Sequence, residues 1–185
     1  MVGRLSKGRS VVVVTLIIVI LALLGFTAGC DSPNPSGDEA PDFTLPTLTG
    51  TNITLSELRG APVVLNFWSI GCSWCRYQLP FLETVAQHAG EQIEVVATNV
   101  VDSSASVQSF FGDYEPAMIV ALDTDREVFG DYCLNFSNPK GSIPFTLFVD
   151  SEGIVQYQRL GAFSSEEELW NTLHDVFGIT IPETS

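Results

Sequence analysis

The sequence is poor in basic residues, and this shortage excludes one large class of function. Its 185 residues include eight Lys and Arg against 22 Asp and Glu, and three of the eight bases lie within the first nine residues. Beyond Cys30 five bases face 22 acids, a formal charge of −17. A surface this acidic repels phosphate backbones, and the chain has no basic stripe with interleaved aromatics, so we expect no nucleic-acid partner.

Histidine and cysteine are also scarce, which limits the metal sites that the chain can form. The four cysteines include the C-x-x-C segment Cys72-Ser73-Trp74-Cys75, a pattern that is also half of many zinc sites. The other candidate ligands, Cys133, His88 and His174, are not paired at ligand spacing. We therefore expect no bound metal and no cofactor other than the Cys72–Cys75 pair itself.

Only the N-terminus carries a long hydrophobic run. Arg4, Lys7 and Arg9 precede an uncharged stretch from Ser10 to Gly29, which predicts an export signal or an uncleaved anchor with the remaining chain outside the cell membrane. The run ends in small residues before Cys30 and resembles a lipobox, although Thr27 stands where lipoboxes prefer Leu. We assign residues 1–30 to a signal, lipoprotein or membrane-anchor segment with Cys30 as the lipidation candidate.

The remaining chain predicts a flexible tether and one mixed α/β domain. Residues 31–40 are rich in Pro, Ser, Asn and Gly and indicate the tether, while residues 41–181 form the domain. The apolar run at 62–68 predicts a central buried strand, and the segment after Ser73 has helical spacing with Pro80 inside it. Further strands are expected at 93–101, 117–122, 145–149 and 154–160, a hairpin around 49–52, a helix around 107–111, and a last helix capped by Ser164 and Glu167.

The C-x-x-C pair at the start of a helix suits thiol-disulfide exchange. The first sulfur faces unpaired backbone N–H groups, which favour its thiolate, and the second lies one turn away. Cys72 is thus the predicted nucleophile and Cys75 the resolving thiol. A purely structural disulfide is the alternative, but so short a loop gains little stability from being closed.

The order of segments matches the layout of the thioredoxin fold. The strand Val63–Trp68, which includes Asn66, is followed three residues later by C-x-x-C, and Ile143-Pro144 precedes a later strand. In that layout the proline is cis and its loop shapes a groove for the substrate backbone, so we predict a cis Pro144; a trans proline at a strand entrance is the alternative.

The chain resembles the TlpA/ResA-type membrane-anchored oxidoreductases of the AhpC/TSA–redoxin superfamily. The resemblance lies in the segments 40–45, 55–68 and 150–153 together with the C-x-x-C block. It implies a thioredoxin-like fold, a central mixed sheet flanked by helices with a short N-terminal β-hairpin extension. It further implies reduction of protein disulfides outside the membrane, often in apocytochrome c during haem attachment, with electrons from an integral-membrane thiol carrier.

The chain departs from this family beside the thiols. Gly71 stands where members commonly have Trp, and an aromatic residue, Trp74, lies inside the motif instead. Gln78 occupies the place of a buried Glu that assists proton transfer, and Asn66 that of a buried Asp in cytoplasmic thioredoxins. Without these carboxylates we predict slower exchange at neutral pH, unless Gln78 is merely a solvated helix residue.

Three further alternatives stay open in the sequence. Cys133 is either a third redox thiol or, beside Tyr132 and Leu134, a small buried hydrophobe. A thiol peroxidase would need Pro, Thr or Ser, and Arg at set spacings around its cysteine, and this set is missing before Cys72. A copper-handling module of this fold would have a wider cysteine gap and a distant histidine, although soft thiolates can bind Cu(I).

Overall fold

The computed structural model describes residues 37–180 of the chain. The predicted signal or anchor segment, including the lipidation candidate Cys30, therefore lies outside the described residues. Within the described part, none of the helices combines the length and the apolar character that a membrane span requires.

A five-stranded mixed sheet forms the centre of the fold, as predicted. Its strands are β3 (Val63–Trp68), β4 (Glu94–Asn99), β5 (Ile119–Leu122), β6 (Phe145–Val149) and β7 (Val155–Leu160). Their spatial order is β5-β4-β3-β6-β7, and β3 is parallel to β4 and antiparallel to β6. Every residue of β3 is buried, because both faces of the central strand are covered, as its continuous apolar run indicates.

Four helices and a small hairpin cover the two faces of this sheet. These elements are β1 (Thr44–Pro46), β2 (Asn52–Thr54), α1 (Ser73–His88), α2 (Ser104–Phe111), α3 (Glu127–Asn135) and α4 (Glu166–Phe177). The predicted hairpin is confirmed as the antiparallel pair β1 and β2. Successive side chains of β3 point to opposite faces of the sheet: Val64 and Trp68 pack against α1, α2 and α4, whereas Leu65 and Phe67 pack against α3 and the hairpin.

Two helix predictions need correction. The cap of α4 is Ser165 rather than Ser164: its hydroxyl accepts the N–H of Glu168 at 3.1 Å, and the Glu168 carboxylate accepts the N–H of Ser164 at 2.6 Å. The cap thus lies one residue later than predicted, and the Glu168 carboxylate bonds the residue before the cap rather than the cap itself. The helix α3 was not predicted: it lies between the strands expected at 117–122 and 145–149, where no element was assigned.

The domain also begins earlier than the boundary predicted at Pro41. Gly37 N–H donates to the carbonyl of Val155 at 3.3 Å, and Val155 N–H donates to the carbonyl of Asp38 at 2.9 Å. Glu39 pairs with Ile154 through a β-bridge. Residues 37–40, assigned to the tether, therefore pair with the turn before β7 and with its first residue, through an isolated bridge outside the five named strands.

Candidate active site

The two cysteines of the C-x-x-C segment form a disulfide at the N-terminus of α1. Cys72 is the residue that caps this helix, in an extended conformation, and its sulfur accepts the N–H of Cys75 at 3.1 Å. Cys72 is half-buried, whereas Cys75 is only 1% exposed. The helix N-terminus stabilises negative charge, so the accessible sulfur is also the one placed to become a thiolate.

The proline loop lies directly beside this disulfide. The Ile143–Pro144 peptide bond is cis, which confirms that part of the prediction, and Pro144 is buried. The carbonyl oxygen of Ile143 lies 3.8 Å from Cys72 Sγ. A disulfide sulfur has no proton to donate, so this approach is a contact in the oxidised protein, and only the reduced Cys72 thiol can donate to that oxygen.

A buried polar network containing Gln78 connects α1 to two neighbouring segments. Gln78 has no exposed surface, so the interpretation of it as a solvated residue is wrong. Its Nε2 donates to Thr146 Oγ1 at 3.2 Å, and its Oε1 accepts the N–H of Phe163 at 3.0 Å. Asn66 Nδ2 donates to the same Thr146 hydroxyl at 2.9 Å. Two amides and one hydroxyl thus meet beneath the proline loop, and none of these groups ionises.

The loop that carries Cys72 is held by a side chain that the sequence analysis missed. Asp102 Oδ2 accepts the N–H of Ile70 at 2.8 Å and the side-chain N–H of Asn99 at 2.9 Å. Asn99 in turn accepts the backbone N–H of Asp102 at 2.9 Å. The Asn-x-x-Asp spacing at the end of a buried strand indicates a local turn. The contact of Asp102 with Ile70 is not visible in this spacing, because the two residues are 32 positions apart in the sequence.

The aromatic residues of the motif lie in two different environments. Trp68 has no exposed surface and packs against Phe110 at 5.5 Å between ring centroids, as expected of a core residue. Trp74 is 67% exposed and meets the ring of Tyr77 edge-on at 5.9 Å. The Tyr77 hydroxyl donates to the carbonyl of Ser164 at 2.8 Å, which anchors this ring beside the disulfide.

Cys133 lies away from the C-x-x-C pair, on the helix α3. It is half-buried and packs against the cluster on the opposite face of the sheet from the disulfide. Burial raises the pKa of the Cys133 thiol, and the charge of Arg126 opposes this only in part. Cys133 thus fits the predicted packing role, although its side chain is partly rather than fully buried. A redox role for this thiol stays a prediction. His88 and His174 are both exposed.

The sheet, the helix-capping disulfide and the adjacent cis proline define a thioredoxin-like dithiol protein. The chain belongs to the AhpC/TSA family, whose sequence profile matches residues 36–158. It is 32% identical to the thiol-disulfide oxidoreductase ResA of Bacillus subtilis (strain 168) over 188 residues, which cover 97% of this chain and 98% of the relative.

Two solved structures are similar as well. The exposed lipoprotein thioredoxin Etrx1 of Streptococcus pneumoniae strain TIGR4 is 26% identical, with a TM-score of 0.61, and the match covers 73% of this chain and 99% of that one. A secreted disulfide oxidoreductase of Mycobacterium tuberculosis, homologous to E. coli DsbE, is also 26% identical, with a TM-score of 0.57 and coverage of 69% and 90%. With its C-x-x-C disulfide, the protein is a thiol-disulfide oxidoreductase.

Proposed function

We propose that the protein reduces disulfides in other proteins, with Cys72 as the attacking thiol and Cys75 as the resolving thiol. The observation that carries this proposal is the unequal exposure of the two sulfurs at one helix N-terminus. Cys72 is accessible and faces backbone N–H, whereas Cys75 lies buried behind it. A substrate disulfide can thus approach Cys72 alone, and the intermediate is resolved from inside the protein.

The reaction consists of two exchanges that transfer two electrons to the substrate. The Cys72 thiolate attacks one substrate sulfur, a protein–substrate disulfide forms, and the other substrate sulfur leaves as a thiolate that takes up a proton. Cys75 then loses its proton and attacks Cys72 Sγ, which forms the Cys72–Cys75 disulfide and releases the second substrate sulfur. A dithiol donor must afterwards reduce this disulfide, since each turnover consumes both thiols.

Among the described residues, no carboxylate bonds the polar network next to Cys75, so the second exchange has no evident base there. Gln78 lies one helical turn after Cys75, and it bonds Thr146 and the backbone of Phe163 rather than a carboxylate. Water or the departing substrate thiolate must accept the Cys75 proton. This supports the expectation of slower exchange near neutral pH than in a relative with an acid at this position.

The proposal also covers where the protein is located and which partners it has. The basic start and the apolar run of residues 4–29 support a domain held at the outer face of the cell membrane, by a lipid on Cys30 or by a transmembrane helix. The similarity to ResA and to an exposed lipoprotein thioredoxin agrees with this location. We further propose an integral-membrane thiol carrier as the donor and apocytochrome c as one client.

A trapping experiment tests the proposal. In the full-length chain, Cys75→Ser removes the resolving thiol, so a client should remain linked to Cys72 and be released by dithiothreitol. The double variant Cys72→Ser, Cys75→Ser is the matched control and should trap nothing. If the single variant captures no protein, and the reduced wild-type chain leaves insulin disulfides intact, the proposal is wrong.

A further inference from the structure

The exposed side chain of Trp74 is unusual for its size and its place. It is 67% exposed, although it lies between the two reactive cysteines on the first turn of α1. Large aromatic side chains are costly to leave in water, and in interfaces Trp contributes a large share of the binding energy. So exposed an indole inside the motif calls for a binding explanation, since it contributes little to the core.

Within the described part of the chain, the indole has one aromatic neighbour. Tyr77 meets it edge-on, with ring planes at 87°, and Phe81 meets Tyr77 in turn at 5.2 Å and 81°. The hydroxyl of Tyr77 is bonded to the carbonyl of Ser164, so the supporting ring is held in place. The three rings form a rigid row that ends at Trp74 and leaves much of the indole exposed to solvent.

Any protein substrate of this enzyme must pass close to that surface. Only Cys72 is accessible, and Trp74 follows it by two residues, so a chain joined to Cys72 has its neighbouring side chains within reach of the indole. Ile143, whose carbonyl lies 3.8 Å from Cys72 Sγ, and Ile70, two residues before Cys72, are also uncharged and partly buried. The open depression of about 490 Å³ next to Ile70 is lined by uncharged residues as well: Ile70, Ala105, Ser106, Ser109 and Phe110.

We propose that Trp74 is a specificity-determining residue that selects disulfides whose cysteine has an apolar neighbour in the substrate chain. The apolar side chain packs on the exposed indole while the substrate sulfur is bonded to Cys72. This inference rests on the proposed disulfide reductase function and specifies the substrate class of the same site. An acidic neighbour is disfavoured, since the described residues carry 20 acids against five bases.

The test compares two peptides and one small disulfide. Two hexapeptides of equal charge, with Leu or Gly next to a single cysteine, are each prepared as a glutathione mixed disulfide, and bis(2-hydroxyethyl) disulfide is the small substrate. The reduced full-length chain should react roughly fivefold to tenfold faster with the Leu peptide than with the Gly peptide, which is the gain expected from partly burying one Leu side chain. Product is quantified by chromatography, because tryptophan fluorescence changes with the variants.

Three variants separate Trp74 from its surroundings. Trp74→Ala should remove the preference for the Leu peptide, measured as the ratio of the Leu-peptide rate to the Gly-peptide rate within the same variant, while the small disulfide reports any change at the thiol itself. Trp74→Phe should retain most of the preference. Leu134→Ala is the matched control, since Leu134 is 84% exposed on α3, and it should change neither rate.

The outcomes distinguish this inference from the proposed function. If wild type shows no preference for the Leu peptide, or Trp74→Ala keeps that preference, the selection by Trp74 is refuted. An equal slowing of all three substrates by Trp74→Ala also refutes it, because the residue would then act on the thiol itself. If the wild-type chain reduces none of the substrates, the reductase function fails as well.

Discussion

Cys72 and Cys133 each lie at the end of a helix, but Cys72 lies at the N-terminal end of α1 and Cys133 near the C-terminal end of α3. The two helices cover opposite faces of the sheet. Cys72 caps the N-terminus of α1, where unpaired N–H groups favour a thiolate. Cys133 lies in the last turn of α3, where the carbonyl ends of the helix disfavour negative charge, and burial raises its pKa further. The two cysteine thiols thus differ in how readily they ionise, because the pKa of a thiol depends on its position in the fold.

The two faces of the sheet also differ in the side chains that fill them. The face with α1 carries the disulfide at its edge, and the amide network of Gln78 crosses the core there. The face with α3 is filled with aromatic rings, such as Phe67 against Phe129 at 5.2 Å and against Tyr132 at 5.1 Å. Both faces contain aromatic contacts, but only the face with the disulfide has the buried amide network among the described residues, and this network connects α1 to its neighbouring segments.

The largest expected difference between the two thiols is in activity. Cys72→Ser should reduce disulfide exchange to the uncatalysed rate, because a serine hydroxyl forms no disulfide, whereas Cys133→Ser should retain the full rate. Insulin reduction under dithiothreitol turnover measures both variants. A loss of activity in a well-folded Cys133→Ser protein would show that Cys133 is a third redox thiol. The functional difference proposed between Cys72 and Cys133 would then be wrong.

A smaller change is expected from introducing an acid beneath the disulfide. Gln78→Glu should raise the exchange rate at neutral pH by up to roughly a hundredfold, the low end of the contribution of a positioned base, because the carboxylate can accept the Cys75 proton. Stopped-flow rates across pH 5 to 9 measure the effect. Gln78→Met is the matched control without an acid and should not exchange faster; a Glu variant no faster than wild type would contradict the role assigned to this position.

The smallest effect is expected on the other face, in stability alone. Partial burial tends to raise the pKa of Asp42, but bonds from the Ser56 hydroxyl and the N–H groups of Ser56 and Phe43 outweigh it and lower this pKa below its ordinary value of 3.8. Asp42→Asn should therefore destabilise the fold by at most about 1 kcal/mol, since the group is exposed and screened.

The pH dependence of that loss follows from the lowered pKa. The contribution of Asp42 is complete at neutral pH and disappears as the pH falls below 3.8 through the folded-state value, because the carboxylate is then protonated in both states. Urea unfolding at pH 7 and pH 3 measures the difference from wild type. A loss of exchange activity in this variant would contradict the division of roles between the two faces.

Features encoded within short segments were predictable from the sequence. The apolar run of β3 indicated a strand buried on both faces, and the position of C-x-x-C after it indicated the start of α1. The spacing of Ile143-Pro144 within the same layout indicated the cis bond. Each of these predictions depended on a local pattern or on the order of segments, and the structure confirms them.

Features without a standard local signal, or with distant partners, were not predictable. The helix α3 is capped by Arg126, a residue in the left-handed region whose side chain makes no capping bond, and the buried Asp123 accepts the N–H groups of Val128 and Phe129 instead. The bond from Ile70 to Asp102 joins segments whose proximity depends on the pairing of β3 with β4. The first arrangement is local but differs from the usual helix cap, and the second has only its local turn in the sequence pattern.

The hydrogen bonds of Gln78 have a consequence for how the site responds to protons. Gln78 donates to Thr146 and accepts from Phe163 at the same time. A protonated carboxylic acid could make the same two bonds, whereas an ionised one could only accept. At every pH, the amide therefore makes the one donated and the one accepted bond that a carboxylic acid could make only while protonated. The scaffold beneath the disulfide keeps one hydrogen-bonding pattern throughout the redox cycle, and proton exchange is left to the thiols and water.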